Sequence, residues 1–519
     1  MEAIKLHRPS VRSKKNNGVI WMKKFMFFAA FIAAVVMCLI PFDLNPDKSD
    51  SVNEAESSEK ASITMTETDI STQTTTTCTV TTETVEGMTA QTVTTITQEE
   101  GATEKYTFRG IVFGADGSIL WYTDGSDRRA NQEFDAAFAN LLSDASAVKL
   151  DAVLGPSDYQ KSDAPAYLRQ TNPTPYYPDG HHPIGQSVML TVSENQQLAA
   201  YNYLKDHGYK GCVLKMSDDG AIRVAASYPS FSHNERVDGD AGSLQNERDA
   251  FNNQCFTSML PGSVFKVISC TVARKNNMVE FDDPGEISSM KIQNWDYAGS
   301  AGKYPMYRDL ASAILNSSNC VFAQVAYDLG AERLQTDLDT LFGFSSPLNI
   351  DGVILTQTAD MSSNSNLARC GYGQKVNVSP VFMTAAALAA ASTGEMVQPY
   401  LADKTYDTLQ CTPIEQIGSK HVLSAVPEEY TQELREGMLA VSNNLGLHKD
   451  AYSVFTKTGT AAVNHSGYTD FMSIVSVVKD EQTGKSEALM LVVQNPSEFG
   501  YRYASNLKGN MQELIDLLM

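Results

Sequence analysis

The chain has 519 residues, 42% of them hydrophobic, and carries a formal net charge of −21. Its length exceeds that of one ordinary hydrophobic core, so we expect two or more domains, and its acidic balance argues against a nucleic-acid-binding protein, which would normally present a basic surface. The eight cysteines include no Cys-x-x-Cys pair, so no zinc or redox site is expected. One disulfide is possible if the cysteines lie in an exported domain.

The amino-terminal residues have the pattern of a membrane anchor. Residues 1–24 contain seven Lys and Arg residues, and Phe25–Ile40 is an uninterrupted apolar run. Sixteen helical residues span roughly 24 Å, and flanking apolar residues bring the run closer to the ~30 Å bilayer core. We therefore predict a cytoplasmic basic tail at 1–24 and one transmembrane helix at 25–42, with everything after it outside the cell. A cleaved signal peptide is the alternative.

Residues 43–105 differ sharply in composition from the rest of the chain. Seventeen of the forty residues from Ala61 to Glu100 are Thr, and aromatic residues are nearly absent. Such a segment buries too little apolar surface to offset the entropy lost on ordering. The composition predicts a flexible tether. One or two strands are the alternative, because Thr and Val favour extended backbone.

Residues 106–209 are predicted to form a small mixed domain. Phe108–Phe113 reads as a strand, the Asp116-Gly117 pair as a turn, and Ile119–Tyr122 as the returning strand. Asn131–Leu142 has the apolar spacing of a helix. No cluster of catalytic residue types occurs in this part of the chain.

From residue 210 to 519 the pattern is that of one large α/β domain of the α+β type. A hairpin is predicted from Cys212 to Ala226, and helical segments dominate from Ser263 to about Thr393. Strand patterns return at 452–460, 470–478 and 488–493, and a helix closes the chain at 510–518. Strands at both ends of a helical middle predict a central antiparallel sheet flanked by helices.

The first candidate for chemistry is Ser263 with Lys266. Pro261 and Gly262 interrupt the preceding chain, and the apolar spacing predicts a buried helix from about Ser263. Residues three apart share a helix face, so the Lys266 amine can reach the hydroxyl at a helix end that favours negative charge. These parts suit acyl transfer through a serine ester. However, Ser-x-x-Lys occurs seven times, so the motif alone does not select this copy.

The second candidate is Ser317-Ser318-Asn319, which lies between two apolar helical runs. The pattern places a hydroxyl and an amide at a junction between helices. Ser-x-Asn occurs six times in the chain, and ordinary capping of a helix by Ser or Asn is the alternative.

The third candidate is Lys457-Thr458-Gly459-Thr460, the one occurrence of Lys-Thr-Gly, within a predicted strand. Gly inside a strand indicates close approach to the backbone, and we expect a substrate carbonyl to lie along this edge. Lys457 is expected to supply a fixed positive charge, and the two threonine hydroxyls suit a carboxylate. A turn built on Lys-Thr-Gly is the alternative.

These three motifs, in this order and with separations of 54 and 140 residues, resemble those of penicillin-binding proteins and serine β-lactamases. From about residue 106 to the end the chain is similar to class B penicillin-binding proteins, whose fold has a transpeptidase domain on an amino-terminal pedestal. Further segments carry the resemblance: Arg109-Gly110-Ile111, Asp116-Gly117, Gly185–Thr191, Ala226–Ser230, Asp283–Gly285 and Gly371–Gln374.

The resemblance implies a peptidoglycan D,D-transpeptidase that needs no metal or cofactor. Ser263 would attack the penultimate D-Ala of a stem peptide, with Lys266 as base. Ser317 would pass the proton to the leaving amine, and Asn319 would bind the donor amide and orient Lys266. The backbone N–H groups of Ser263 and Thr460 would form the oxyanion hole.

On the substrate side, the resemblance implies that Lys457, Thr458 and Thr460, with Gly459 between them, bind the terminal carboxylate of the stem peptide or of a β-lactam. The implied partners are peptidoglycan stem peptides, β-lactam antibiotics, the membrane, and a glycosyltransferase of the division or elongation machinery. A β-lactamase or β-lactam sensor, a D,D-carboxypeptidase and a non-catalytic scaffold of that machinery are the alternatives.

Overall fold

The computed structural model describes residues 60–69, 74–85, 88–100, 110–124, 127–151, 186–239, 248–281, 287, 290, 292, 309–406, 413–461 and 471–519. The predicted tail at 1–24 and anchor at 25–42 lie outside these residues. Within them, no helix combines the length and the apolar character needed to cross a bilayer.

The strands of the described residues are numbered along the chain. They are β1 (Lys60–Asp69), β2 (Thr74–Val85), β3 (Met88–Glu100), β4 (Val112–Phe113), β5 (Ile119–Asp124), β6 (Asp127–Ala130), β7 (Ser187–Leu190), β8 (Gly211–Ser217), β9 (Ile222–Tyr228), β10 (Leu348–Ile350), β11 (Val353–Leu355), β12 (Thr358–Ala359), β13 (Val376–Asn377), β14 (Glu395–Val397), β15 (Ala402–Tyr406), β16 (Pro413–Gln416), β17 (Val422–Ala425), β18 (Tyr452–Ala461), β19 (Phe471–Asp480) and β20 (Ser486–Gln494).

The α-helices of the same residues are α1 (Asp135–Leu142), α2 (Glu194–His207), α3 (His233–Val237), α4 (Lys266–Lys275), α5 (Leu310–Leu315), α6 (Asn319–Phe342), α7 (Asn364–Cys370), α8 (Pro380–Leu388), α9 (Gln432–Leu445) and α10 (Lys508–Leu518). A 3₁₀ turn, Gly262–Phe265, leads directly into α4. The helix predicted from about Ser263 is therefore present, with its first turn wound more tightly.

The Thr-rich segment contains strands where a flexible tether is expected. β1 pairs with β2 and β2 with β3, both antiparallel. These strands belong to the first of two compact units, and residues 107–406 and 413–519 form the second. Thr and Val favour extended backbone, and neighbouring strands satisfy each other's backbone groups. For these residues the structure thus has the strands that were the alternative prediction, and not a flexible tether.

The second unit is built on a five-stranded sheet in the order β18-β19-β20-β8-β9. Every neighbouring pair in this sheet is antiparallel. The hairpin predicted at 212–226 supplies β8 and β9, and the three strands predicted between 452 and 493 supply the others. The predicted antiparallel sheet, formed from the two ends of the domain, is confirmed.

Helices cover this sheet and enclose the core. Successive residues of β8 and β20 are buried, and since successive side chains point to opposite faces, both faces are covered. Helix α8 packs on β8, β19 and β20, whereas α2 packs on β8 and β9 and is itself covered by α10. One hydrophobic cluster runs from Val112 to Leu518, and the five cysteines described here with their side chains are buried free thiols.

A second sheet has the order β16-β15-β7-β4-β5-β6. Its strands β4 to β7 come from residues 112–190, but β15 and β16 come from residues 402–416. β7 and β15 pair antiparallel, with Ser187 opposite Tyr406. The sheet thus draws on both sides of the predicted boundary at 209/210, and the division into 106–209 and 210–519 remains a prediction.

The Gly262–Phe265 turn sits against β18, the edge strand of the central sheet, at a very short distance. A Cβ on Gly459 of that strand would lie 2.6 Å from Ser473 Oγ, 2.7 Å from Val264 Cγ2 and 2.8 Å from the Pro261 carbonyl oxygen. The atoms that approach Gly459 thus belong to the protein itself, namely to Ser473 of β19, Val264 of the turn and Pro261 just before it. The packing of the protein therefore needs a glycine here, and a substrate carbonyl along this edge remains a prediction.

We predict that Gly459→Ala lowers the free energy of unfolding by about 1–3 kcal/mol, the range found when a close-packed site is overfilled. The added methyl group would push the turn away from β18, because its contacts would all be shorter than 3.0 Å. Urea denaturation followed by tryptophan fluorescence measures the change.

Gly509→Ala is the matched control. Gly509 lies in α10, and a Cβ there has no neighbour within 4 Å. Its stability should stay the same or rise by up to about 1 kcal/mol, since Ala is the better helix former. Equal stabilities of the two variants would contradict the packing explanation.

Candidate active site

Ser263 is the second residue of the 3₁₀ turn that precedes α4, and its side chain is half-buried. Gly262 just before it has φ +53° and donates its N–H to the Gly373 carbonyl at 3.1 Å. The N–H of Ser263 is among the first in this helical stretch, which have no upstream acceptor within the helix. The turn thus places a hydroxyl and an N–H donor of the helix start side by side.

Lys266, the first residue of α4, is completely buried. Its amine donates to the backbone oxygen of Ser317, to Ser317 Oγ at 3.1 Å and to Asn319 Oδ1 at 2.6 Å. The amine also lies 5.9 Å from the ring centroid of Phe322. Asn319, which the resemblance implies orients Lys266, is thus in direct contact with the Lys266 amine.

Ser317 lies at the junction between α5 and α6, as the sequence predicts. Its φ of +55° is in the left-handed region, where a residue other than Gly is strained. Ordinary helix capping falls to its neighbour Ser318, whose Oγ accepts from the Val321 N–H at 3.2 Å. The unusual backbone of Ser317 turns both its carbonyl and its hydroxyl to Lys266.

Lys457 on β18 approaches Ser317 from the other side and is 1% exposed. Its amine donates to Ser317 Oγ at 3.0 Å and to the Thr458 carbonyl at 2.9 Å. Burial, which disfavours the charged form, lowers the pKa of Lys457 to about 7. Burial of this amine therefore opposes the fixed positive charge that the sequence predicts.

Two amines thus share one hydroxyl. Each lies about 3 Å from Ser317 Oγ, so the amines are at most about 6 Å apart, where two ammonium charges would repel by about 3 kcal/mol at an effective dielectric constant near 20. This repulsion acts in the same direction as burial and favours the loss of one proton from the pair. If the Lys266 amine is neutral, its two N–H groups can still donate to the Ser317 carbonyl and to Asn319 Oδ1. Its lone pair can then accept a proton from a hydroxyl.

The residues after Lys457 occupy the free edge of the sheet. Side chains alternate along a strand, so Lys457 and Gly459 share one face while Thr458 and Thr460 share the other, where both are half-buried. A ligand that lies along this edge can be reached from both faces, by Lys457 on one and by the threonine side chains on the other. The carbonyls of Thr458 and Thr460 point away from β19, since they accept from Lys457 and from Gln374.

A turn that we name the 371–374 turn (Gly371, Tyr372, Gly373 and Gln374) completes the site. Gly373 has φ +75°, and a Cβ on it would lie 2.1 Å from the Gly262 carbonyl oxygen. Gln374 donates to the Thr460 carbonyl at 3.2 Å. The sequence analysis names this segment among those that carry the resemblance, but it did not predict the contacts of the segment with the site.

The chain is similar to known proteins over most of its length. A family model described as "Penicillin binding protein transpeptidase domain" matches residues 210–512. Stage V sporulation protein D of Bacillus subtilis (strain 168) is 26% identical over 355 residues, which are 63% of this chain and 53% of that protein. Peptidoglycan D,D-transpeptidase MrdA of Haemophilus influenzae is 29% identical over 184 residues, 32% of this chain and 27% of that protein.

The chain thus spans between about a quarter and about half of the length of these two relatives. Among solved structures, the penicillin G acyl-enzyme complex of penicillin-binding protein A from M. tuberculosis has a TM-score of 0.62 at 20% identity, with 79% of this chain and 99% of that chain covered. At this identity the likeness shows a shared fold.

The match to the family model covers more than half of the chain and includes all three motifs and the 371–374 turn. The resemblance inferred from the motifs is thereby confirmed: the chain belongs to the penicillin-binding protein transpeptidase family.

Proposed function

We propose that the chain is a peptidoglycan D,D-transpeptidase that works through an acyl-serine intermediate. The observation that carries this proposal is the pair of buried amines, from Lys266 and Lys457, that share the Ser317 hydroxyl, with Lys266 one turn after Ser263. Family membership and a relative that bears the name of this activity support the substrate class.

In the acylation step, Ser263 Oγ attacks the carbonyl carbon of the penultimate D-Ala, and its proton passes to the neutral amine of Lys266. The N–H groups of Ser263 and Thr460 stabilise the negative charge on the former carbonyl oxygen. The C–N bond then breaks, and Ser317 passes a proton to the departing D-Ala amine. An amine of a neighbouring stem peptide attacks the ester, forms the cross-link and frees Ser263; water in its place gives D,D-carboxypeptidase side activity.

Ser317 can connect the lowered pKa of Lys457 with the role of Lys266 as base, because its hydroxyl contacts both amines and can pass a proton between them. When the pair has lost one proton, a proton can pass from Lys266 to Ser317 Oγ while the Ser317 hydroxyl proton passes to Lys457. This leaves Lys266 neutral beside Ser263 and Lys457 charged. The pair then titrates as a unit, as closely coupled groups do, and charged Lys457, with Thr458 and Thr460, binds the carboxylate of the stem peptide or of a β-lactam.

For the cellular context, we propose a single-pass membrane protein with the anchor at 25–42, the pedestal at 106–209 and the transpeptidase domain at 210–519 outside the cytoplasm. The basic residues before the apolar run support this orientation. A glycosyltransferase of the division or elongation machinery would supply the glycan strands that are cross-linked.

We predict that the rate constant of acylation by a fluorescent penicillin rises with pH and is half-maximal at about pH 7. Below the pKa of Lys457, about 7, both amines are protonated and neither can accept the Ser263 proton, so the rate should fall about tenfold for each pH unit. Above it one amine is neutral and the rate levels off.

Stopped-flow labelling across this range gives the profile, and circular dichroism at each pH checks that the fold is intact. A rate that falls as pH rises through 7 would contradict the shared-proton mechanism, since that is the profile expected if Lys457 acted only as a fixed charge.

We also predict that Ser263→Ala abolishes covalent labelling by penicillin and leaves the melting temperature unchanged, because the substitution removes the nucleophile from a half-buried position. Ser505→Ala is the matched control, since Ser505 is an exposed serine in another Ser-x-x-Lys copy. It should be labelled like the wild type. Labelling that survives in Ser263→Ala would defeat the assignment of the nucleophile.

Purified protein with a pentapeptide stem and a stem-peptide amine acceptor separates the alternatives. Cross-linked peptide with release of D-Ala supports the transpeptidase, and D-Ala release without cross-links would indicate a carboxypeptidase. Rapid hydrolysis of the β-lactam would indicate a β-lactamase. A long-lived covalent label without turnover of the peptide would indicate a β-lactam sensor. A protein that is not labelled at all would be a scaffold.

A further inference from the structure

The 371–374 turn contacts every element that carries a motif. On α6, a Cβ at Gly371 would lie 1.9 Å from the Phe322 carbonyl oxygen, so the turn packs directly on this helix. The Gly373 carbonyl accepts from the Gly262 N–H at 3.1 Å, next to Ser263. On β18, Gln374 Nε2 donates to the Thr460 carbonyl at 3.2 Å. Only this last contact is made by a side chain of the turn.

The Gln374 contact fixes the direction of the Thr460 backbone. In an extended strand, the N–H and C=O of one residue point to the same side. The Thr460 carbonyl lies on the free edge of β18, since it accepts from Gln374 and lies 2.4 Å from the position that a Cβ on Gly262 would occupy. The Thr460 N–H therefore points to the same edge, where Ser263 lies.

Thr460 lies near the end of its strand, where a hydrogen bond from Gln374 can hold the backbone in place. β18 ends at Ala461, one residue later, and backbone groups near the end of a strand open more easily than those in its middle. An oxyanion donor is effective only when it is held in place before the reaction, because reorientation during the reaction costs free energy.

We infer that Gln374 is a positioning residue for acyl transfer: its side-chain amide holds the Thr460 carbonyl on the free edge of β18 and thereby keeps the Thr460 N–H directed at the acyl oxygen beside Ser263. This inference rests on the proposed function. It concerns a residue outside the three motifs, which acts through the backbone of Thr460 and does not contact the substrate.

Gln374→Glu and Gln374→Ala test the inference with a penicillin as the acylating probe. At neutral pH the glutamate side chain is ionised and can only accept, so both variants lose the hydrogen bond. We expect the acylation rate constant to fall about 10- to 100-fold in both variants. This decrease should not exceed the decrease caused by removal of a whole oxyanion donor. Non-covalent binding of the penicillin should be unchanged.

The pH dependence distinguishes positioning from a general structural role. Protonated glutamate is again a donor, so the rate of Gln374→Glu relative to wild type should recover as pH falls toward about 5, near the pKa range of glutamate. The relative rate of Gln374→Ala should stay low throughout. Because an oxyanion also forms in deacylation, the acyl-enzyme of both variants should live longer than that of the wild type.

Two measurements guard against misfolding. Titration of active sites counts the molecules that react, so a variant that is merely partly unfolded shows fewer sites but a normal rate for each. Gln432→Glu is the matched control, because Gln432 is an exposed residue at the start of α9, and it should react like the wild type.

If the wild type is labelled and both Gln374 variants react within about twofold of its rate per site, the positioning role is wrong while the proposed function stands. A Gln374→Glu rate that shows no relative recovery at low pH also overturns the role. If the wild type is not labelled at all, the proposed function fails and the inference fails with it.

Discussion

The site depends on one interaction: two lysine amines from distant parts of the chain bond to the hydroxyl of Ser317. Lys266 comes from a helix and Lys457 from the edge strand of the sheet, so the contact can form only when the helical middle of the domain packs against strands from its carboxyl-terminal part. Burial makes the second ammonium unfavourable. The same packing that completes the fold thus favours the loss of one proton from the pair, and the proposed mechanism uses the neutral amine as its base.

This arrangement requires backbones to approach more closely than side chains would allow. Glycine at 262, 373 and 459 permits the Gly262–Phe265 turn to lie between the 371–374 turn and β18 with no Cβ at the contacts. Protein interiors are close-packed, so a methyl group at such a point moves whole elements. At Gly262 and Gly373 the nearest atoms are backbone carbonyl oxygens, of Thr460 and Gly262, so backbone contacts hold the turn that carries Ser263.

Much of the fold could be predicted from the sequence, because strands and helices follow local periodicity. The hairpin at 212–226, the three strands after 452 and the junction at Ser317 all lie where their patterns place them. The role of Gly459 and the lowered pKa of Lys457 could not be predicted, since both depend on packing between distant segments, with Ser317 140 residues away from Lys457. The segment Gly371–Gln374 was recognised by its resemblance, but the contact of Gln374 was not predicted, because its partner Thr460 is 86 residues distant.

The character of the oxygens around the amines decides how the site can work. The chain has 61 acidic residues, yet the hydrogen bonds described for both amines go to neutral oxygens, namely those of Ser317, Asn319 and Thr458. A carboxylate in any of these places would hold a proton on its amine and raise its pKa. These neutral acceptors orient the amines without opposing deprotonation, and in the proposed mechanism the carboxylate comes with the substrate. Binding of that carboxylate would draw the remaining proton toward Lys457 and leave Lys266 neutral at the moment when Ser263 must lose its own.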